Sequence, residues 1–299
     1  MISSLPPRAV LVRRPSEYEM LVEQHGTAQQ ATFYLEHQSL SMDDVRRSDA
    51  QLREALKVVR GGIPRAWRSV EILRSELSQF VFEPRDIVMA IGQDGLVANV
   101  AKYLNGQRVI GVNPDPLAYE GPLVPHLPAS VRTLLLDCAA DRAHVQSRTM
   151  TEAVLDDGQR LLALNEIFVG HRSHQSARYR FIAGGEEEHQ SSSGLIVSTG
   201  TGSTGWARSI NLERGELLTL PKPEERALAF FVREAFPGSG FMTKTTAGLF
   251  QQDATLTVTS EMSEGGVIFG DGIEEDHLEF LWGTRLSVGV AREQLRLVR

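Results

Sequence analysis

One cysteine, Cys138, in 299 residues leaves no intrachain disulfide and no cysteine-built zinc site to consider. That scarcity suits a reducing compartment. Positive charge is also in deficit: 31 Lys and Arg face 38 Asp and Glu, for a net charge of -7. A nucleic-acid binder relying on a basic surface is therefore not expected, although local cations still permit an anionic substrate. No apolar run approaches the ~20 residues that a membrane-spanning helix needs. The N-terminal stretch MISSLPPRAVLVRR has no apolar core of the signal-peptide kind. A cytoplasmic protein with no membrane partner is the expectation. What remains is ordinary globular composition, 41% hydrophobic and 23% charged. The length suffices for one large domain or two ordinary ones.

The most informative segment is Ser198-Thr-Gly-Thr-Gly-Ser-Thr-Gly-Trp206, directly after the apolar run Gly194-Leu-Ile-Val197. It has almost no bulky side chain before Trp206, so it contributes little to a core. Its glycines permit close backbone approach, its hydroxyls donate and accept hydrogen bonds, and its amides are suited to cradling an anion. A nucleotide or phosphorylated ligand is the functional reading; a Gly/Ser linker is the plain one.

The first third alternates strand and helix signals. Strands are expected at Ala9–Val12, Thr32–Leu35, Ile87–Ile91 and Arg108–Val112. Helices are expected from Ser16 to Gln29, closing at Gly26 or just beyond, from Asp43 to Arg60, from Pro64 to Phe80, and from Leu96 to Leu104. This alternation implies a Rossmann-like parallel sheet. One more helix is expected near Val131–Leu136. Past Thr149 the segments become short and β-rich: 178–182, 195–197, 254–259, 267–269, 278–281 and 285–290. The expected fold class is thus α/β plus all-β, an N-terminal Rossmann-like domain over 1–120 and a C-terminal β-sandwich-like domain over 121–299. Glu186-Glu-Glu188 reads as a solvated hairpin tip.

Gly92-Gln-Asp-Gly95 lies between an expected central strand and an expected helix, the place where open α/β sheets bind ligands. A helix N-terminus there favours phosphate. An aspartate at that point opposes a phosphate by charge, but it suits deprotonating or orienting a hydroxyl, or holding a metal. A capped Asp-Gly turn is the structural alternative. The spacing fits neither the dinucleotide G-x-G-x-x-G nor the P-loop.

The chain resembles the NAD kinases, within the wider superfamily of diacylglycerol and sphingosine kinases. Three blocks carry the resemblance in order. Ile91-Gly-Gln-Asp-Gly95 stands where the family has Gly-Gly-Asp-Gly, Leu164-Asn-Glu166 matches its Asn-Glu/Asp pair, and Ser198–Trp206 is similar to its Thr-Gly-Ser-Thr/Lys-Ala loop. Gly270-Asp-Gly272 is a weaker fourth match. Val109–Pro116 with Glu120-Gly121, Thr199-Gly-Thr-Gly202 and Val232–Phe236 look most like the mitochondrial-type branch. The likeness covers roughly residues 85 to 290.

The resemblance implies ATP-dependent phosphorylation of the 2′-hydroxyl of the adenosine ribose of NAD, giving NADP, with Mg²⁺ accompanying ATP. Asp94 would be the general base or orienting group. Gly92, Gln93 and Gly95 would approach the phosphates. Asn165 would read an adenine edge or ribose, Glu166 would hold ribose hydroxyls, and Thr199, Thr201, Gly202, Ser203 and Thr204 would complete the nucleotide pocket. Trp206 would stack on a base, and Asp271 would border the site. No all-protein metal cage is evident in the sequence, and a homodimer joined through the β domain is implied. Gln93 departs from the family pattern, bringing a β-carbon and a long amide to the place of a glycine. Nor is a C-terminal segment returning to the first domain evident. Arg148 and Lys244 are candidate phosphate partners or solvated surface cations, Asp115 lines a cleft or shapes the Asn-Pro-Asp-Pro turn, and His171 with His174 lack a third metal ligand. A lipid or sugar kinase of the same superfamily and a non-catalytic dinucleotide sensor remain the alternatives.

Overall fold

Ala9, Val10, Leu11 and Val12 are wholly or almost wholly buried because strand β1 (Ala9–Arg13) is covered on both faces, as a continuous apolar run requires. The computed structural model describes residues 5–183 and 185–299. It divides into two compact units, Met1–Gln146 with Arg296–Arg299, and Ser147–Leu295.

In the first unit β1 leads into helices α1 (Glu17–His25), α2 (Ala28–His37) and α3 (Met42–Gly62). Ser16 and Glu19 form a reciprocal capping box that starts α1, and Gly26, at φ +81°, ends it. Thr27 then caps α2 through the N–H of Gln30. The strand expected at Thr32–Leu35 is therefore helix. Ala31 and Leu35, four residues apart, bury one face against Met42 and Val45, a helical spacing that outweighs the β propensity of Thr-Phe-Tyr. The helix expected from Pro64 to Phe80 is also overturned. Strand β2 (Ser69–Leu73) occupies its middle, followed by a 3₁₀ stretch, Arg74–Gln79. Parallel pairing of β2 with β1 decides the outcome over local pattern.

Strand β3 (Ile87–Ile91) pairs with the other side of β1, helix α4 (Asp94–Ala101) follows, and β4 (Arg108–Val112) extends the parallel sheet in the order β2-β1-β3-β4. Helix α5 (Val131–Ala139) sinks Val131, Leu135 and Cys138 into the same core as Leu11, Met89 and Ile110. That burial explains why the first unit continues to Gln146 rather than stopping near 120. It also takes up the end of the chain. Arg296 and Leu297 pair in parallel with Arg108 and Val109, so a returning segment exists that its short pattern concealed.

The second unit is all-β apart from helix α6 (Trp206–Glu213). Its strands are β5 (Val145–Leu155), β6 (Arg160–Ala163), β7 (Glu166–His171), β8 (Ala177–Ala183), β9 (Glu186–Ser192), β10 (Gly194–Ser198), β11 (Ala227–Arg233), β12 (Ala247–Gln251), β13 (Leu256–Ser260), β14 (Gly266–Gly270), β15 (His277–Glu279) and β16 (Arg285–Val298). One sheet runs β16-β13-β8-β9 with β5 and β6 beside it. The other runs β12-β11-β10-β7-β14-β15. Alternate residues meet between them: Ile167, Val169, Leu195, Val197 and Phe230 share a core with Tyr179, Phe181, Val258 and Val288. Glu188 is not at a solvated tip. It is 3% exposed and accepts from Thr245 Oγ1 at 2.6 Å and Gln190 Nε2 at 3.1 Å.

Candidate functional site

In the first unit, β3 ends at Ile91 and α4 begins at Asp94, so the Gly92–Gly95 turn lies at the carboxyl edge of the sheet. Gly92 has φ +153°, a conformation side chains with a β-carbon rarely adopt. Gln93 sits at φ -95°, ψ 168°, ordinary extended backbone. No positive φ is needed where the glycine is replaced, and the Gln93 side chain is exposed on the wall of a cleft.

That cleft has a volume of about 510 Å³, and its walls include Arg14, Gly92, Gln93, Gly95, Asp115 and Tyr119. Asp94 occupies the first turn of α4, where a carboxylate meets the positive end of the helix. While its neighbours line the cleft, its Oδ1 turns toward the 121–123 segment and accepts the N–H of Leu123 at 2.9 Å. Two glycines make this possible. A β-carbon at Gly111 would stand 1.9 Å from the Leu123 carbonyl oxygen. One at Gly121 would stand 2.1 Å from Val124 Cγ2 and 3.2 Å from Asp94 Oδ1. The Asn-Pro-Asp-Pro turn is shaped mainly by Asn113, which accepts from the N–H of Asp115 and donates to the Tyr119 carbonyl. Burial, then the carboxylates of Asp115 and Asp94, push the Tyr119 phenol up to about 12, so it stays a neutral donor.

In the second unit Thr199 organises the glycine-threonine loop. It is fully buried, its N–H donates to the Asn165 carbonyl, and its Oγ1 donates to the Leu164 carbonyl at 2.6 Å while accepting from the N–H groups of Thr201 and Gly202. The loop is a set of hydrogen-bonded turns, with Gly202–Thr204 in a 3₁₀ turn before α6. Glycine is obligatory at 202 because a β-carbon would lie 2.3 Å from the Asn165 carbonyl oxygen. Ser203 N–H and Oγ both reach the Thr199 carbonyl, and Thr204 Oγ1 donates to the Thr201 carbonyl. Arg148, 5% exposed, donates to Thr201 Oγ1 at 3.3 Å. Lys244 is instead exposed.

Asn165 and Glu166 open β7, and Glu166 pairs with Ser198 of β10. Asp271, at φ +56°, turns back so that its carboxylate accepts the N–H groups of Leu164 at 3.1 Å and Asn165 at 2.7 Å. Burial, then the Asp271 carboxylate, raise the Glu166 carboxyl to about 7, poised to change charge near neutrality. Trp206 stacks on Phe168 at 5.9 Å between centroids, with the Arg233 guanidinium 4.8 Å from its ring centre. Both partners are protein groups, and the indole remains 36% exposed.

The structure therefore groups Gly92, Gln93, Asp94 and Gly95 in one unit and Asn165, Glu166, Thr199, Thr201, Gly202, Ser203, Thr204, Trp206 and Asp271 in the other. Sequence reading missed Leu123, Tyr119 and Arg14. The signal for Leu123 was a glycine inside an otherwise apolar strand, Gly111, which marks close backbone approach. His171 Nδ1 accepts from the Ser173 N–H, and among the described residues no group of three or more His, Cys, Asp or Glu is placed to hold a metal. No helix among the described residues is long and apolar enough to cross a membrane.

No protein-family profile matches the chain. The NAD kinase of Cupriavidus pinatubonensis is 34% identical over 134 residues, a match spanning 42% of this chain and 42% of that protein's length. The NAD kinase of Methanospirillum hungatei is 26% identical over 199 residues, 66% of this chain and 68% of its own length. Yeast NADH kinase, solved with NADH, shares the fold at a TM-score of 0.60 and 17% identity, covering 99% of this chain and 84% of the yeast chain. An NAD kinase from Archaeoglobus fulgidus, solved with ATP, superposes at a TM-score of 0.59 and 18% identity, covering 98% and 93%.

Proposed function

We propose that this chain, which belongs to the NAD kinase family, transfers the γ-phosphoryl group of ATP to the 2′-hydroxyl of the adenosine ribose of NAD. The observation that carries the proposal is the placement of Asp94. It is a carboxylate at the carboxyl edge of a parallel sheet, fixed by the Leu123 N–H and flanked by glycines whose neighbours form a cleft of about 510 Å³. Sequence kinship and fold supply the substrate class.

Phosphoryl transfer depends on positioning and charge neutralisation more than on covalent chemistry. The 2′-oxygen forms the new bond to the γ-phosphorus as the bond to the β–γ bridging oxygen breaks, and ADP leaves. Asp94 takes the hydroxyl proton. The Gly92–Gly95 backbone and the first turn of α4 face the donor phosphates. In the second unit, Asn165 and Glu166 hold ribose or adenine, Thr201, Ser203 and Thr204 border the dinucleotide, and Trp206 offers its exposed edge. Asp271 acts by fixing the amides on which Asn165 stands. Mg²⁺ would accompany ATP and would supply charge neutralisation at its phosphates. A cytoplasmic homodimer joined through the β-rich unit completes this reading. The ordinary backbone of Gln93 favours turnover over a purely sensing role.

The test is incubation of the purified chain with NAD, ATP and Mg²⁺, with product read by an NADP-specific dehydrogenase. NADP is expected. Its absence while ADP still accumulates with a lipid or sugar acceptor would transfer the assignment to another kinase of the superfamily.

A further inference from the structure

We propose that Arg14 and Arg74 together form the receptor for the polyphosphate tail of the phosphoryl donor, an inference that rests on the kinase reading above. The strand register places them. Arg13 of β1 pairs with Leu73 of β2 on one side and with Ile91 of β3 on the other. The residues that follow, Arg14, Arg74 and Gly92, therefore leave three adjacent parallel strands at one carboxyl edge, where open α/β sheets receive ligands. Arg14 lines the same cleft as Gly92, Gln93 and Gly95. Its Nη2 is 3.7 Å from the point a β-carbon at Gly95 would occupy, which sets the guanidinium against the first turn of α4.

The two arginines at this edge differ from most of their neighbours in pairing. Several other arginines of the unit have carboxylate partners: Arg8 with Asp86, Arg13 with Glu19 and Glu71, Arg60 with Glu71, Arg68 with Glu83. Neither the Arg14 nor the Arg74 guanidinium has a hydrogen bond or a carboxylate partner among the described residues. Burial, then the charge of Arg74, draw Arg14 below its ordinary value, so the two cations sense one another. Glu17 and Asp115 also stand on the cleft walls. Asp115 accepts from the Ala118 N–H. One guanidinium against a helix N-terminus, with a second leaving the neighbouring strand at the same edge, suits a multiply charged anion. Phosphate oxygens match guanidinium geometry. A triphosphate has the several anionic groups needed to engage both arginines and the Gly92–Gly95 turn.

The experiment measures inorganic tripolyphosphate binding by calorimetry for the wild type, Arg14→Gln, Arg74→Gln and Arg14→Lys, alongside KM values for ATP and NAD. Each Gln variant should weaken tripolyphosphate by about tenfold or more, as loss of a charge-assisted contact does. KM for ATP should rise while KM for NAD stays within about twofold. Arg14→Lys should retain more binding than Arg14→Gln. Wild-type affinity in both folded Gln variants, with NADP still formed, would overturn the arginine receptor and leave the kinase reading standing. Arginine-dependent tripolyphosphate binding without NADP formation would instead overturn the kinase reading alone. Absence of tripolyphosphate binding in the wild type overturns the receptor.

Discussion

Asp271 accepts the main-chain N–H of Asn165 at 2.7 Å, joining residues 106 positions apart. The same carboxylate accepts the Leu164 N–H, so one side chain sets the backbone from which Asn165 and Glu166 project. Asp271→Ala leaves both amides without that acceptor and should cost about 1–3 kcal/mol. KM for NAD should rise more than KM for ATP. Denaturant titration and initial-rate kinetics check the two parts, and an unchanged KM for NAD would confine Asp271 to stability.

Thr199 Oγ1 serves three backbone groups at once, the Leu164 carbonyl and the N–H groups of Thr201 and Gly202. Thr199→Val keeps the volume but buries those groups unsatisfied, and should destabilise by about 2–4 kcal/mol. Thr199→Ser retains the oxygen and should lose less than half as much. Urea midpoints for the pair separate the hydroxyl from the methyl contribution.

Glu166 gives the chain a pH signature. Its carboxyl lies at about 7 against an ordinary 4.5, through burial first and Asp271 second. An acid whose folded-state value is raised binds its proton more tightly folded than unfolded. Its contribution to stability therefore declines as pH rises from about 4.5 to about 7. Glu166→Gln should flatten that decline and melt higher than the wild type at pH 8, with a smaller difference at pH 4.5. Calorimetric melting at both pH values decides it.

Cys138 is 1% exposed, and burial, outweighing the nearby Arg108 charge, pushes its thiol up to about 11. It should resist Ellman's reagent at pH 8 in the folded protein and react at once in denaturant. Rapid stoichiometric labelling of the native chain would contradict the packing of α5.

Much of this was legible in the sequence, for specific reasons. The apolar runs of β1, β3 and β4 can only be covered parallel strands, and Gly92–Gly95 between β3 and α4 marked the ligand edge. Glycine and threonine at 198–205 marked the second loop, although its amides are largely occupied by Thr199 and its order exceeds that of a linker. What failed depended on distant partners. Thr32–Leu35 is helical because Met42 and Val45 receive its face, and 69–73 is a strand because β1 pairs with it. Leu123 and Arg74 reach the Asp94 edge through register and close approach, which no local window displays. The end of the chain looked like a finished β strand, yet Arg296 and Leu297 pair with β4 of the first unit.

The most direct measurement compares wild type and Asp94→Asn for NADP formation and for NAD affinity. Asparagine can still accept the Leu123 N–H but is a poor base. Turnover should fall by about 10²–10⁴-fold while NAD affinity stays within about tenfold. Turnover in the variant equal to that of the wild type would contradict Asp94 as the group that takes the hydroxyl proton.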